Sequence, residues 1–80
     1  MDKLNSFSWG DPVTIKQNAP KYYKPGFKGS ICGIRIIDSP EVAEQFNAMI
    51  GSELYLIEFI DGEALEIPKS FLLLLENQEG

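Results

Sequence analysis

A β-hairpin signature in residues 53–67 constrains the fold of this chain more than any other feature. Within residues 53–60 one face of the alternating pattern is wholly aromatic or β-branched, with Tyr55, Ile57 and Phe59. Such side chains favour strands. Asp61 and Gly62 follow, and this pair tolerates the positive φ angles of a two-residue type I′ turn. Residues 64–67 are then predicted to form a second strand, antiparallel to residues 53–60, so the chain contains a β-sheet.

Three further strands and a long loop complete a mainly-β pattern. The apolar and β-branched side chains typical of strands recur at residues 13–16, 29–37 and 71–75. Residues 18–28 contain Pro20 and Pro25, which cannot donate to a strand ladder, so a structured loop is predicted there. Two glycines inside the second strand predict a sharp bend or a bulge. A 3₁₀ turn is predicted at residues 68–70.

A short helix is predicted over residues 39–50, between the second and third strands. Ser39 is a favourable N-cap, and Pro40 suits the first helical position. Gly51 is predicted to end the helix, because glycine adopts the left-handed conformation of a C-terminal cap. Helical spacing gives one apolar stripe, formed by Val42, Phe46, Met49 and Ile50.

The length of 80 residues allows one domain, because two cores would each be too small to fold unaided. The apolar fraction of 44% is that of a globular protein rather than a disordered one. We therefore expect a flexible N-terminal arm at residues 1–8, a small five-stranded barrel at residues 9–76 and a C-terminal tail at residues 77–80.

The chain contains no histidine, which removes the commonest general base and the commonest metal ligand. Its one cysteine, Cys32, lies in a strand and is predicted to be a small buried hydrophobe rather than a reactive thiol. The acids near the hairpin are interpreted as solvated turn residues. We therefore predict no enzymatic activity, no catalytic residue, no metal site and no cofactor.

No targeting or membrane segment is recognisable in the sequence. The N-terminal residues lack the apolar stretch of a signal peptide. The longest apolar run covers the five residues 71–75, far below the ~20 residues of a membrane span. We expect a cytoplasmic protein that does not contact a membrane.

Charge is distributed unevenly along the chain, whose net charge is −5. Residues 1–35 hold six cations against two acids, or +4, and residues 36–80 hold one cation against ten acids, or −9. An acidic chain with one basic segment argues against general nucleic-acid binding, which requires many cations to neutralise phosphates. A protein partner or a self-complementary homodimer fits this pattern better.

The loop after the first strand is the best candidate for a binding site. It combines two tyrosines with three lysines, and the members singled out are Lys21, Tyr22, Tyr23, Lys24 and Lys28. Tyrosine is enriched at interface hot spots because it offers a large contact area at a low entropic cost. Strand-like alternation predicts that one of the two tyrosines points inward and packs on the sheet.

Two residues outside this loop complete the candidate site. Trp9, before the first strand, is interpreted as a lid over the core, with a partner contact as the alternative. Glu63, among the hairpin acids, is predicted to lie on a second rim of the docking surface, opposite the rim formed by the tyrosines and lysines.

The order of these motifs resembles SH3-like small barrels. It is carried by a Gly-Asp-x-Val-x-Ile run at residues 10–15, Lys-Gly-x-Ile-x-Gly-Ile at 28–34, Tyr-x-Ile-x-Phe at 55–59 and Ile-Pro-x-x-Phe-Leu at 67–72. Bacterial domains of unknown function, toxin-immunity proteins and accessory subunits of redox and metabolic enzymes share this order. The resemblance implies a five-stranded barrel and a binding groove beside the loop at 18–28.

The leading hypothesis is a non-enzymatic bacterial protein-binding module, of the immunity or accessory-subunit kind. It would dock through the lysine–tyrosine loop. One alternative is an RNA-associated or ribosome-associated barrel that uses the same loop. Another is a structural subunit that stabilises a larger redox or metabolic enzyme.

Overall fold

The computed structural model describes residues 7–75. Five strands form one antiparallel sheet in the order β4-β3-β2-β1-β5. The strands are β1 (Pro12–Ile15), β2 (Lys28–Ile36), β3 (Glu53–Phe59), β4 (Ala64–Pro68) and β5 (Leu72–Leu74). A helix, α1 (Pro40–Gln45), lies between β2 and β3, and two 3₁₀ turns lie at Lys21–Tyr23 and Lys69–Phe71.

The prediction of a mainly-β chain with five strands and one short helix is confirmed. Pairing of β1 with both β2 and β5 brings the first and last strands together. No pairing joins β4 to β5 within residues 7–75, so the sheet is open. Closure into an SH3-like barrel therefore stays a prediction.

A β-bulge bends β2 at Cys32. Ile31 lies opposite Ile57, whereas Gly33 lies opposite Leu56, so Cys32 is an extra residue with no partner of its own on β3. Bulges bend a strand and increase its twist. This confirms the predicted bend, although the structure leaves Cys32 only half-buried rather than buried.

Glycine at position 29 is required by the closeness of β3. A Cβ atom there would lie 2.6 Å from Cγ2 of Ile57 and 2.7 Å from the carbonyl oxygen of Glu58. The Glu58 carbonyl oxygen belongs to the backbone of the paired strand β3, so it could move away only if the strand pairing were disturbed. The glycine therefore allows β2 and β3 to approach at this point.

The main core covers the inner face of the sheet. The face of β3 formed by Tyr55, Ile57 and Phe59 is buried, as predicted. These side chains pack with residues from each of the four other strands, namely Val13, Ile15, Ile31, Ile67 and Leu72. Each fully buried aliphatic side chain of this size contributes about 1.5–3 kcal/mol relative to an exposed one. The core thus fixes the register of all five strands, since a one-residue slip would expose it.

The helix α1 is shorter than predicted. Ser39 is the N-cap as expected, and its Oγ accepts a hydrogen bond from the Val42 amide at 3.3 Å. The predicted end at Gly51 is wrong, because Asn47 adopts a left-handed conformation with φ 53° and ends the helix first. The amide of Ala48 donates to the carbonyl of Ala43 at 2.8 Å, which is the bond of a Schellman cap.

The early end of α1 divides the predicted apolar stripe. Ala43 packs with Ile37 and Leu54 in a second, smaller core, and Val42 and Phe46 are half-buried beside it. Met49 and Ile50, which a longer helix would have placed on the same face, are exposed instead, with Met49 77% exposed.

The hairpin between β3 and β4 has a different turn from the one predicted. A type I′ turn needs positive φ at both central residues, but of Asp61 and Gly62 only Gly62 has one, at 92°. The amide of Gly62 donates to the Phe59 carbonyl at 2.9 Å, and the amide of Phe59 donates to the Glu63 carbonyl at 2.8 Å. This is a three-residue loop in which a type I turn is followed by a glycine bulge.

The predicted N-terminal arm and C-terminal tail lie largely outside the described residues. Of residues 1–8, the structure describes Phe7 and Ser8, and of residues 76–80 it describes none. The ring of Phe7 packs on that of Tyr55, with centroids 5.4 Å apart. No helix in the described part of the chain is long and apolar enough to cross a bilayer.

Candidate functional site

The two tyrosines of the loop after β1 lie in the first 3₁₀ turn and differ in burial. Tyr23 is buried, whereas Tyr22 is 71% exposed. Their rings make an edge contact with centroids 4.7 Å apart. Burial, and secondarily the neighbouring Tyr22, raises the pKa of Tyr23 above its ordinary value. The prediction that one tyrosine points inward is confirmed.

Tyr23 attaches the loop to the second 3₁₀ turn. Its ring centroid lies 5.8 Å from that of Phe71, and the amide of Lys16 donates to the Phe71 carbonyl at 2.8 Å. Tyr22, Tyr23 and Phe71 therefore form a continuous row of aromatic rings. We call these three residues the aromatic row.

A groove of about 530 Å³ begins where the aromatic row ends. One wall is the second 3₁₀ turn with Pro68 and Phe71, and the other is the segment at residues 46–53, which includes Phe46 and the exposed Met49. Sequence reasoning missed this groove because it assigned residues 46–50 to the helix. The signal that could have found it is Asn47, since asparagine is the residue after glycine most able to end a helix in the left-handed conformation.

The charged groups of the groove neutralise each other. Oε1 of Glu53 accepts a hydrogen bond from the Tyr55 hydroxyl at 2.7 Å and lies 3.4 Å from Nζ of Lys69. Burial is the main reason why the pKa of Tyr55 is raised, and the hydrogen bond to Glu53 adds to it. The tyrosine therefore stays a hydrogen-bond donor at neutral pH. A groove with apolar walls and one internal ion pair suits an uncharged segment better than a phosphate.

Lys24 and Glu63, which were predicted for separate rims, meet in one ion pair. Nζ of Lys24 donates to Oε1 of Glu63 and lies 3.8 Å from Oδ2 of Asp61. The same Nζ lies 5.2 Å from the centroid of the Phe59 ring. The hydrogen bond to Glu63 is the main reason why the pKa of Lys24 is raised. This pair joins the loop to the β3–β4 hairpin, so the side chains hold the fold together at this point.

The other predicted site residues are distributed over the surface. Trp9 is 68% exposed, so its interpretation as a lid over the core is wrong. Trp9 precedes β1 and Tyr22 follows it, which places the two residues beyond opposite ends of that strand. Lys21 is exposed beside Tyr22, and Lys28 begins β2 opposite Thr14. Within residues 7–75, no carboxylate lies within 4.0 Å of Lys21 or Lys28.

The structure brings together no group of three potential metal ligands among the residues that it describes.

Arg35 on β2 makes a bidentate contact with Glu66 on β4, across the intervening β3, through Nε at 2.7 Å and Nη2 at 2.8 Å. That contact holds the pKa of the Arg35 guanidinium above its ordinary value. Such a bidentate pair links β2 to β4 and stabilises the sheet.

Comparison of the chain with protein-family models, with curated proteins and with solved structures finds no match. The basis for a function is therefore the geometry of the chain's own residues.

Proposed function

We propose that this protein is a non-enzymatic protein-binding module with an SH3-like small-barrel fold. In this proposal an extended segment of a partner protein lies in the groove between the second 3₁₀ turn and residues 46–53. The partner also covers the ring of Tyr22. The observation that carries the proposal is this ring, exposed to 71% and held on the buried ring of Tyr23.

The strand arrangement supports the SH3-like assignment. A long loop follows β1, β1 pairs with β5, and a 3₁₀ turn precedes β5. The bulge at Cys32 supplies the strand bend that a small barrel needs at its corners. The groove adjoins the loop after β1 through Phe71, on which Tyr23 packs, and the resemblance to SH3-like barrels implies a binding surface beside that loop.

The aromatic row supports peptide binding on energetic grounds. Tyr23 is fixed by its packing on Phe71, so the neighbouring Tyr22 is presented on an ordered turn. A partner that covers Tyr22 gains a large contact area and immobilises little of this chain. Tyrosines in such positions are frequent hot spots. Lys21 beside the row adds a positive charge outside the groove, so an acidic residue of the partner is expected next to Tyr22, whereas the part that lies in the groove is uncharged.

The immunity and accessory-subunit roles are the concrete versions of this proposal. Both would place the gene beside that of its partner, so the neighbouring genes identify the partner to test first. The alternative of an RNA-associated barrel is weakened by the pairing of Lys24 with Glu63, which removes one cation from the loop. A structural-subunit role would use the same surface but would bind a catalytic partner permanently.

Peptide selection followed by mutation tests the proposal. A library of random peptides of about 12 residues, long enough to span the groove in extended form, is selected against the full chain. The affinity of the recovered peptide is then measured by fluorescence anisotropy. Tyr22→Ala should weaken binding about 30-fold, as expected for a hot spot. Trp9→Ala is the matched control, because it removes another exposed aromatic ring, and it should change the affinity less than about twofold.

Two results would overturn the proposal. One is a selected peptide whose affinity is the same for the original chain and for Tyr22→Ala, with circular dichroism showing both chains folded. The other is salt-dependent binding of a single-stranded oligouridine that is tighter than that of every selected peptide. The second result would establish the RNA alternative instead.

A further inference from the structure

The outer face of the sheet carries a second surface, on the side away from the core. Strand register places Pro12, Ser30 and Glu58 side by side across β1, β2 and β3. Thr14 pairs with both Lys28 and Leu73 in the next row. The alternate residues of these strands are the buried ones of the core, so the two rows face away from it.

Ile60 adds an almost fully exposed apolar side chain beside this outer face. It follows β3 directly, occupies the first central position of the hairpin turn, and is 94% exposed. A hollow of about 410 Å³ lies beside it, and Pro12 and Leu75 contribute further apolar walls. Type I turns accept most residue types at this position, so the turn does not require an isoleucine. An exposed apolar patch of this kind is typical of an interaction surface.

Lys28 and Glu58 line the same hollow and give it opposite charges. Both side chains are exposed. Within the described residues, neither has an oppositely charged group within 4.0 Å. The patch therefore combines exposed apolar side chains with one positive and one negative group that line the same hollow.

We propose that this face binds a second copy of the chain. A twofold axis lying between the two faces and passing between Lys28 and Glu58 would place each Lys28 against the Glu58 of the other copy. The same operation would bury both Ile60 side chains. A surface that carries both members of an ion pair is self-complementary under twofold symmetry, as an isologous dimer requires. The exposed Lys28 and Glu58 thus match the charges of a second copy of this face.

The patch is small, so the dimer is weak. It involves fewer residues than the roughly 20–30 per side of a standard stable interface. We expect a dissociation constant on the order of 10–100 µM at low salt, rising as salt screens the two ion pairs. The dimer face and the groove use different residues, so the dimer does not depend on the proposed peptide binding.

Reversal of the charges at residues 28 and 58, singly and together, tests the dimer. Sedimentation velocity of the full chain, from ~10 µM to ~1 mM, should show a monomer–dimer equilibrium. Lys28→Glu and Glu58→Lys should each weaken the dimer at least tenfold, and the two substitutions together should restore it. Lys21→Glu and Tyr22→Ala, which lie outside the patch, should leave it unchanged. Ile60→Ser should weaken it about tenfold, because an apolar side chain no longer becomes buried.

The concentration dependence of the NMR spectrum tests the dimer on the unaltered chain, without any substitution. The amide resonances of residues 28–30 and 58–60 should shift with protein concentration, whereas those of residues 46–52 should not. A chain that is monomeric at ~1 mM would overturn the proposal. So would a double variant no better than the single ones, or concentration-dependent shifts confined to the groove.

Discussion

Lys24 and Glu63, 39 residues apart in the chain, form an ion pair that joins the loop after β1 to the β3–β4 hairpin. The Lys24 ammonium also lies over the rings of Phe27 and Phe59, whose planes are nearly perpendicular. The backbone of Lys24 is left-handed, with φ 64°, at the end of the first 3₁₀ turn. One residue therefore ends the turn that presents Tyr22 and attaches that turn to the sheet.

Removal of this ion pair should weaken the attachment of the loop. Lys24→Ala should lower Tm by a few degrees (on the order of 2–5 °C), because it removes the contacts to Glu63 and to the aromatic rings. Thermal unfolding at low and high salt measures the loss, which should shrink as salt screens the ion pair. Lys21→Ala is the control, since that cation has no carboxylate within 4.0 Å in residues 7–75, and it should change Tm by no more than the error of the measurement.

The same pair predicts a dependence of stability on pH. The pKa of Lys24 is raised above its ordinary 10.5 in the folded chain. Its contribution is therefore fully present below pH 10.5, and it is lost as the pH rises through the raised pKa. The difference in stability between the original chain and Lys24→Ala should be constant at neutral pH and fall in that alkaline range. A difference that grows with rising pH would contradict this assignment.

Tyr55→Phe should cost about 1 kcal/mol of unfolding free energy, because it removes a half-buried hydrogen bond to Glu53. Urea denaturation measures the change, with an unaltered m-value. Tyr22→Phe is the matched control, because its exposed ring has no such partner in the described residues, and it should leave the midpoint unchanged. Equal losses in the two variants would show that the Glu53 contact contributes nothing.

Gly29→Ala should destabilise the chain by about 1–3 kcal/mol, because the new methyl group meets the backbone of β3. Gly33→Ala is a graded comparison, since its Cβ would lie 3.2 Å from Cβ of Leu56 and can be accommodated by a small shift. Urea midpoints should therefore rank the original chain first, then Gly33→Ala, then Gly29→Ala. The reverse order of the two variants would contradict the close approach of β2 and β3.

Asn47→Ala should destabilise the chain by about 1 kcal/mol, because alanine tolerates the left-handed conformation less well than asparagine does. Asn47→Gly should be neutral or stabilising, since glycine adopts that conformation freely. Thermal unfolding of the two variants measures both effects. Equal stability of all three chains would mean that residue 47 does not end the helix.

The sheet could be predicted from the sequence because it depends on local alternation and on turn residues. The buried face of β3, the N-cap at Ser39 and the bend in β2 all follow from neighbouring residue types. The turn at Asp61 was predicted with the wrong type, because an aspartate–glycine pair is compatible with both a two-residue and a three-residue loop. That difference decides whether Ile60 belongs to the strand or to the turn.

The candidate site was predictable only in part. Alternation identified one inward and one outward tyrosine in the loop, as observed for Tyr23 and Tyr22. The groove was missed because it exists only where the helix ends early, at Asn47. The pairing of Lys24 with Glu63 depends on the three-dimensional proximity of a loop and a hairpin, which no sequence spacing encodes.

Titration of the chain with a selected peptide, followed by ¹H–¹⁵N NMR, tests the central claim most directly. The claim is that Tyr22 and the groove bind a segment of a partner protein. The amide resonances of Tyr22, of residues 46–53 and of residues 69–71 should shift together and saturate at a single dissociation constant. Shifts confined to residues 28–30 and 58–60, or to Trp9 and Gly10, would contradict the claim, because the peptide would then bind away from the aromatic row.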